Sequence, residues 1–398
     1  MSSSAEIRPD IFWVGARHPD LEVFDELFPT LHGTTYNAYL VRGSEKIALI
    51  DTVKEPFTDE YLDKLQKLVP LSDIDLVVVN HTEPDHTGAL GRLLEINPDI
   101  RVYCTRAGEN FLRQLYVQPF TVHAVSDGEE ISLGDKTLRF ILAPNLHWPD
   151  TMFTFLPEED LLFSCDAFGA HFCGEGLYND QVEDFSEEFR FYFDTIMRPF
   201  KSSIREALTK IENLPLTLVC PSHGPILRRD PQKSIDAYRA WAAPPPASPQ
   251  KQVLLLTLSP HGNTRTMGAA VRAGLEEADI SVTEFGLVDL DDELVRDELE
   301  KADALVVGSP TINRDAPPPV WRVLSLLSSV TPKGKVAGVF GSFGWSGEAV
   351  KLIEERLRGL KYQLPIPGIS FRFTPTDADV EGCREFGRKL AQSLNQED

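Results

Sequence analysis

The sequence predicts two α/β domains of different design, and three observations carry that prediction. The first half reads as short strands whose ionisable residues collect at strand ends. A proline-dense stretch, Ala242 to Gln250, then interrupts the chain; proline this frequent continues neither a helix nor an interior strand. Beyond it the pattern becomes strict strand–helix alternation, which is the pattern of a doubly wound parallel sheet. At 398 residues the chain suffices for two domains of roughly 100–200 residues each. The expected domains are residues 1–243 and 251–398, with 244–250 as a stiff linker.

In the first half, Ile11 to Val14 is an expected strand. Thr35 to Val41 and Lys46 to Ile50 read as a hairpin around Gly43-Ser44-Glu45. Phe57 to Val69 has helical spacing and leads to Leu76-Val77-Val78-Val79, a buried strand. His81-Thr82-Glu83-Pro84-Asp85-His86 follows at once. Alternate side chains of an extended chain share a side, so His81, Glu83 and Asp85 are expected to converge, with His86 joining from the turn. So many ionisable groups at the end of an apolar strand repel or desolvate one another without a cation. A helix is expected over Gly88 to Ile96, then strands at Arg101 to Cys104, Glu130 to Leu133 and Thr137 to Leu142.

Three further strand ends carry ligand types. The segment Asn145 to Asp150 contains His147. Met152 to Leu156 and Asp160 to Ser164 form an expected strand pair that ends at Cys165-Asp166. Asp184 to Leu214 turns helical, with Asp184 and Glu187 resembling a capping box. Leu216 to Cys220 is a strand, followed by Pro221-Ser222-His223-Gly224. The set His81, Glu83, Asp85, His86, His147, Asp166 and His223 is too large for one tetrahedral ion. It suits two ions with a shared carboxylate. Mixed carboxylate and imidazole donors accept iron or manganese as well as zinc. For His18, His32 and His123 an ordinary core or surface role is the simpler reading.

In the second half, strands are expected at Val253 to Leu258, Ile280 to Phe285, Ala304 to Val307, Val336 to Phe340 and Ile369 to Phe373. Helices are expected at Asn263 to Ala278, Val320 to Ser328, Gly347 to Tyr362 and Asp379 to Leu394. The first strand–helix turn is Ser259-Pro260-His261-Gly262-Asn263-Thr264. Hydroxyls and backbone N–H groups at a helix N-terminus hold phosphate well. The loop lacks the G-x-G-x-x-G pattern, which weighs against a dinucleotide. Later strand ends carry Pro310, Thr311 and Asn313, then Ser342, Gly344, Trp345 and Gly347. Ligands of such sheets sit at the strands' carboxyl ends. Trp345 offers a flat face for a ring system, and Gly344 and Gly347 permit close backbone approach.

Composition narrows the partners. A net charge of −22 disfavours nucleic acid and anionic membranes. No apolar run approaches the ~20 residues of a membrane span, and the N-terminus shows no secretory signal. The five scattered cysteines include no C-x-x-C, which argues against a disulfide framework or a cysteine-bound cluster and for the cytoplasm.

The ordered series His-x-Glu-x-Asp-His, His, Asp, His resembles the metallo-β-lactamase-like fold. Zinc hydrolases of that fold commonly have His where this chain has Glu83. The Ser259 to Thr264 loop resembles the phosphate loop of flavodoxins. With Leu146 to Asp150, Cys165 to Gly169, Gly308 to Asn313 and Gly341 to Trp345, essentially the whole chain resembles the flavodiiron proteins. The resemblance implies an N-terminal metallo-β-lactamase-like αββα sandwich and a C-terminal flavodoxin-like sheet. It implies two non-haem irons and FMN. His81, Glu83 and His147 would bind one iron, Asp85, His86 and His223 the other, and Asp166 would bridge them. His171 and Tyr192 match positions that donate a hydrogen bond or proton at the substrate pocket. The implied activity is reduction of dioxygen to water, of nitric oxide to nitrous oxide, or both. The implied assembly is a head-to-tail homodimer, or a dimer of dimers, with one subunit's FMN beside the other's irons. No rubredoxin cysteines or flavin-reductase extension follow, so a separate electron donor is expected, such as rubredoxin or a reduced flavin carrier. Two competing readings are a zinc hydrolase with an appended flavodoxin and an electron carrier with a metal-free first domain. Glu83 stands against the former and the complete ligand set against the latter.

Overall fold

The computed structural model describes residues 3–246, 248–288, 290–330 and 334–396; Met1 and Ser2, where the absence of a signal is read, and Ala247 of the expected linker lie outside these. The chain divides into two compact units, Met1–Ala243 and Pro244–Asp398.

The first unit is a sandwich of two sheets. The larger runs Ala5–Arg8, Ile11–Trp13, Tyr39–Arg42, Ile47–Ile50, Leu76–Val78, Arg101–Cys104, Thr121–Ala124. Its first three pairings are antiparallel and its last three parallel. The smaller runs Glu130–Ser132, Thr137–Leu142, Met152–Leu156, Leu161–Cys165, Leu218–Pro221, with only the last pairing parallel. Side-chain alternation sorts the core. Tyr39, Val41, Ile50 and Val78 meet Phe140, Met152, Phe163 and Cys220 between the sheets. Leu40, Leu49 and Val77 face outward onto Tyr61 and Leu65 of Thr58–Leu68, Leu93 of Leu90–Ile96 and Leu112 of Arg106–Leu115. Phe153, Leu162 and Val219 cover the other outer face with Phe189, Ile204, Leu208 and Tyr238. Helices therefore flank both sheets, giving the expected αββα order.

Two local expectations give way. Thr35 to Val41 is not one strand: Thr34–Tyr36 pairs with Ala16–His18, and only Tyr39–Arg42 joins the large sheet. Asn37 breaks the run. Its backbone N–H donates to Ser222 O at 2.7 Å, and its side-chain amide donates to Pro221 O and Gly224 O at 2.9 Å each. The break thus ties this segment to the loop carrying His223. The Asp184–Glu187 capping box does not form; Asp184 accepts from Ser186 N and Oγ at 3.1 Å instead, and Phe185 is the N-cap. The long helical stretch is also divided, into Ser186–Tyr192, a π turn Phe193–Met197, a short turn Arg198–Phe200 and Lys201–Ile211. Pro199 lacks the N–H that a continuous helix needs there.

The second unit is a five-stranded parallel sheet in the order Ser281–Gly286, Gln252–Thr257, Ala304–Pro310, Val336–Phe343, Ile369–Arg372. Strand order 2-1-3-4-5 is that of flavodoxin-like folds, whose switch point lies between the first and third strands. Asn263–Glu276 and Asp377–Asn395 cover one face through Met267, Val271, Phe386 and Leu390. Asp292–Lys301, Pro318–Leu326 and Glu348–Gly359 cover the other through Val295, Val323 and Ile353. The first pair touches backbone to backbone: a Cβ on Gly274 would stand 2.0 Å from Arg384 O, and one on Gly387 2.2 Å from Val271 O.

Candidate metal centre and phosphate loop

Strand Leu76–Val78 ends short of the ionisable cluster, and Pro84 then opens a one-turn helix, Pro84–Thr87. The expected alternation therefore stops at Glu83, because proline at the first helical position presets helical φ. The turn separates the cluster into two pairs. His81 Nε2 lies 3.2 Å from Glu83 Oε2, and His147 Nε2 lies 3.0 Å from the same oxygen. On the other side, Asp85 Oδ1 lies 3.3 Å from His86 Nε2, and Asp85 Oδ2 lies 3.2 Å from His223 Nε2.

Asp166 stands between these groups. Its Oδ2 is 3.7 Å from His81 Nε2 and 3.6 Å from His147 Nε2. Its Oδ1 is 3.2 Å from His86 Nε2 and 3.4 Å from His223 Nε2. Cys165, at φ +51°, turns the chain sharply after the strand and precedes this carboxylate; a non-glycine residue there costs about 1–2 kcal/mol. All seven sequence-predicted residues thus gather from four strand ends. His81, Asp85, His86, Asp166 and His223 are buried, whereas Glu83 and His147 keep 15% and 19% of their side chains exposed, so the cluster opens on their side.

The residues fit two divalent ions. Both carboxylate oxygens of Asp85 and of Asp166, and His86 Nε2, are buried without a hydrogen-bond partner, an expensive state unless something else satisfies them. Ligand atoms of His81, Glu83, His86 and Asp166 lie within 4.8 Å of one another, as do those of Asp85, His86 and His223. Three carboxylates among four imidazoles balance most of the charge of two dications, and this donor set suits iron.

The concentration of carboxylate charge also raises the proton affinity of the imidazoles. Burial opposes charge on His81, His86 and His223. The carboxylates outweigh it and lift each to about 10: Asp150 and Glu83 at His81, Asp85 and Asp166 at His86, Asp166 and Asp85 at His223. Against its own burial, Asp166 is held well below the usual carboxylate range by His86 and His223. His171 is the opposite case: burial and the neighbouring His223 push it well down, so it is neutral. Burial, and then the charge of Asp166, push the Tyr192 phenol well up.

His171 and Tyr192 border the cluster. Their rings meet edge-on at 4.9 Å, and His171 lies 5.3 Å from the His223 ring. His171 Nδ1 is 3.0 Å from Thr34 Oγ1, while its buried Nε2 has no partner. Thr34 is closer to this nitrogen than to its other acceptor, Thr35 O at 3.4 Å, so we assign the imidazole proton to Nε2.

Sequence reasoning missed three contributors. Asp150 Oδ2 is 3.2 Å from His81 Nδ1 and accepts from Thr82 N and Oγ1 at 2.7 and 2.8 Å. Thr35 O accepts from His223 Nδ1 at 2.7 Å. Each leaves its histidine's Nε2 free to face the cluster. Phe24, on the small hairpin Val23–Phe24 and Phe28–Pro29, stacks on His171 at 4.1 Å and meets His223 edge-on at 5.4 Å. Only Asp150 had a signal, a carboxylate three residues beyond His147.

In the second unit the predicted loops meet at the strands' carboxyl ends. Gly262, at φ +86°, is the N-cap of Asn263–Glu276, with open space where a Cβ would stand. Ser259 Oγ accepts from Arg265 N at 3.0 Å, and the Thr264 and Ser342 hydroxyls pair at 2.8 Å. Pro310 ends the third strand, Thr311 N donates to Ser342 O at 3.0 Å, and Asn313 takes φ +53°. Gly344 and Gly347 flank Trp345, which is 72% exposed. His261 is exposed in the loop itself. Thr257 Oγ1, at the end of the first strand, is buried and unpartnered, and a cavity of about 400 Å³ opens among Thr257, Ser259, Arg265 and Gly286. A hydroxyl-rich helix N-terminus of this kind fits a phosphomonoester.

Comparison with known proteins agrees with both units. A family model described as ODP family beta lactamase matches residues 34–224, and a flavodoxin model matches residues 255–387. The chain is 42% identical over 395 residues to the type A flavoprotein fprA of Rhodobacter capsulatus, covering 98% of this chain and 91% of that one. It is 39% identical to a nitric oxide reductase of Moorella thermoacetica, with 99% and 100% covered. It is 35% identical to the flavo-diiron protein FprA2 of Clostridium acetobutylicum, with 98% and 99% covered. Among solved structures, rubredoxin oxygen:oxidoreductase from Desulfovibrio gigas superposes with a TM-score of 0.70 at 29% identity, covering 99% of each chain.

Proposed function

This chain belongs to the flavodiiron proteins, the type A flavoproteins, and on that premise we propose how its own residues serve the family's chemistry. It is an oxidoreductase that reduces dioxygen to water, nitric oxide to nitrous oxide, or both, at a non-haem diiron site fed by FMN.

The observation that carries our residue assignment is Asp166, whose two oxygens face different triads. We assign His81, Glu83 and His147 to one iron, Asp85, His86 and His223 to the other, and Asp166 to both. When bound, the irons supply electrons and open coordination positions for a diatomic gas, and FMN supplies a two-electron reserve.

The surrounding residues bind, shield and donate. Glu83 and His147 mark the open side through which a small gas enters. Phe24 packs against His171 and His223 and keeps bulk water from that flank. His171, neutral and with Nε2–H unpartnered, donates a hydrogen bond to a pocket-bound oxygen atom, and the Tyr192 phenol is a second donor. In the second unit, Ser259, His261, Gly262, Asn263 and Thr264 receive the FMN phosphate. Pro310, Thr311, Asn313, Ser342, Gly344, Trp345 and Gly347 receive the ribityl chain and ring.

Electrons come from a separate reduced protein, such as rubredoxin or a flavin carrier. A head-to-tail homodimer, or a pair of such dimers, brings one subunit's FMN to the other's irons. All five cysteines are free, which supports a reducing, cytoplasmic setting, and among the described residues no helix is long and apolar enough to cross a membrane. Metal and flavin analysis of the anaerobically reconstituted protein tests the assignment. It predicts about two irons and about one FMN per chain, whereas about two zincs, no iron and hydrolase activity would refute it.

A further inference from the structure

Among the described residues of the second unit, three buried side-chain atoms lack a hydrogen-bond partner: Thr257 Oγ1, Glu348 Oε2 and Arg384 Nε. Arg384 has an ion-pair partner in Glu277 at 3.7 Å and lies on helix Asp377–Asn395, away from the strands' carboxyl ends. Thr257 and Glu348 both stand at the cofactor edge. Glu348 begins helix Glu348–Gly359, directly after the Gly344-Trp345-Ser346-Gly347 loop. Its neighbour Ala349 donates its backbone N–H to Thr311 Oγ1 at 3.3 Å, which brings this helix start against the loop of the third strand.

A glutamate in a first helical turn usually accepts a free backbone N–H or rests in the helix dipole in contact with water. Glu348 as a whole is half-buried, but its Oε2 is shut off from solvent and unpartnered, and the N-cap, Gly347, makes no side-chain cap bond. A buried acceptor with no donor is costly, so a donor is to be sought where a ligand belongs. FMN carries such donors, namely its ribityl hydroxyls and the N–H of its ring.

We propose that Glu348 is an FMN-contacting residue whose carboxylate accepts a hydrogen bond from the cofactor and whose charge holds the flavin's reduction potential down. The inference rests on the FMN reading of this domain. Electron uptake places negative charge on the ring, and a carboxylate within hydrogen-bond distance opposes it. A flavin kept low in potential passes electrons onward more readily.

The test uses full-length protein. FMN dissociation constants are measured on apoprotein by flavin fluorescence, and the FMN midpoint potential by spectroelectrochemistry. Glu348→Ala is expected to weaken FMN binding roughly ten-fold, and Glu348→Gln to raise the midpoint potential. Glu355→Gln, which removes the same charge two turns along at a 55% exposed side chain, is the control and is expected to move neither. An unchanged dissociation constant in the alanine variant, or a potential in Glu348→Gln no higher than in Glu355→Gln, overturns the proposal. Should Glu348→Ala fail to fold, Glu348→Asp takes its place in the binding measurement, with the same outcomes deciding. Failure of the parent protein to bind FMN would instead overturn the cofactor reading itself.

Discussion

Asp150 holds His81 from behind: its Oδ2 lies 3.2 Å from His81 Nδ1, on the ring edge opposite the nitrogen that faces Glu83. The same oxygen accepts from Thr82 N and Oγ1, so it fixes the chain and the ring together. Carboxylate–histidine pairs of this kind set the tautomer and raise ligand basicity. Asp150→Ala is therefore expected to weaken iron binding about 10–100-fold, read by competition with a chelator. Unchanged affinity would mean that Asp150 only braces the loop.

Asp166 makes a stronger demand. With one oxygen toward each triad, its removal would, on our assignment, deprive both metal positions of a ligand. Asp166→Ala should bind markedly less iron and lose the spectroscopic signature of coupled metals, while its FMN content stays at the parent level. Retention of a coupled pair in that variant would exclude Asp166 as the bridge.

Metal binding should also release protons. His81, His86 and His223 are lifted from an ordinary value near 6.5 to about 10 in the metal-free fold. Raised histidine values stabilise that fold fully below about pH 6.5, and the contribution is lost as pH rises through about 10. Between those limits iron must displace the protons, so its apparent affinity falls as pH falls. Calorimetry in buffers of different ionisation enthalpy should give roughly three protons released per two-metal centre filled at pH 7. Release near zero would contradict the electrostatic picture.

The clustering of these residues is legible in the sequence because a polar group of this density at the end of Leu76 to Val79 is costly without a purpose, and because type and order repeat at three further strand ends. Their separation into two groups is less so. It depends on Pro84 opening a helical turn between Glu83 and Asp85, which overrides the alternation of an extended chain. Asp150 and Thr35 act through other residues and leave little mark on composition. Elements with thin apolar patterns leave little trace in the sequence. Helix Asp292–Lys301 buries only Val295 and Leu299, and Arg106–Leu115 only Gly108 and Leu112. Thr121–Ala124 has no fully buried residue. Helix Pro231–Trp241 offers only one sequence signal, Pro231 at its first position.

Gly274 and Gly387 allow the helix that presents the phosphate loop to seat on Asp377–Asn395. A methyl group at Gly274 would stand 2.0 Å from Arg384 O, and backbone cannot yield as a flexible side chain does. Gly274→Ala should destabilise the second unit by about 1–3 kcal/mol and lower its thermal transition and FMN retention together, as followed by flavin fluorescence on heating. An unaltered transition would show that the crossing relaxes freely.

The central claim is that this seven-residue cluster, loaded with iron and fed by FMN, reduces a diatomic gas. Electrode-monitored uptake of dioxygen and of nitric oxide, by anaerobically reduced protein carrying both cofactors, tests it most directly. Rapid consumption of at least one gas is predicted, with loss of that consumption in Asp166→Ala. No uptake of either gas by the fully loaded protein would contradict the account.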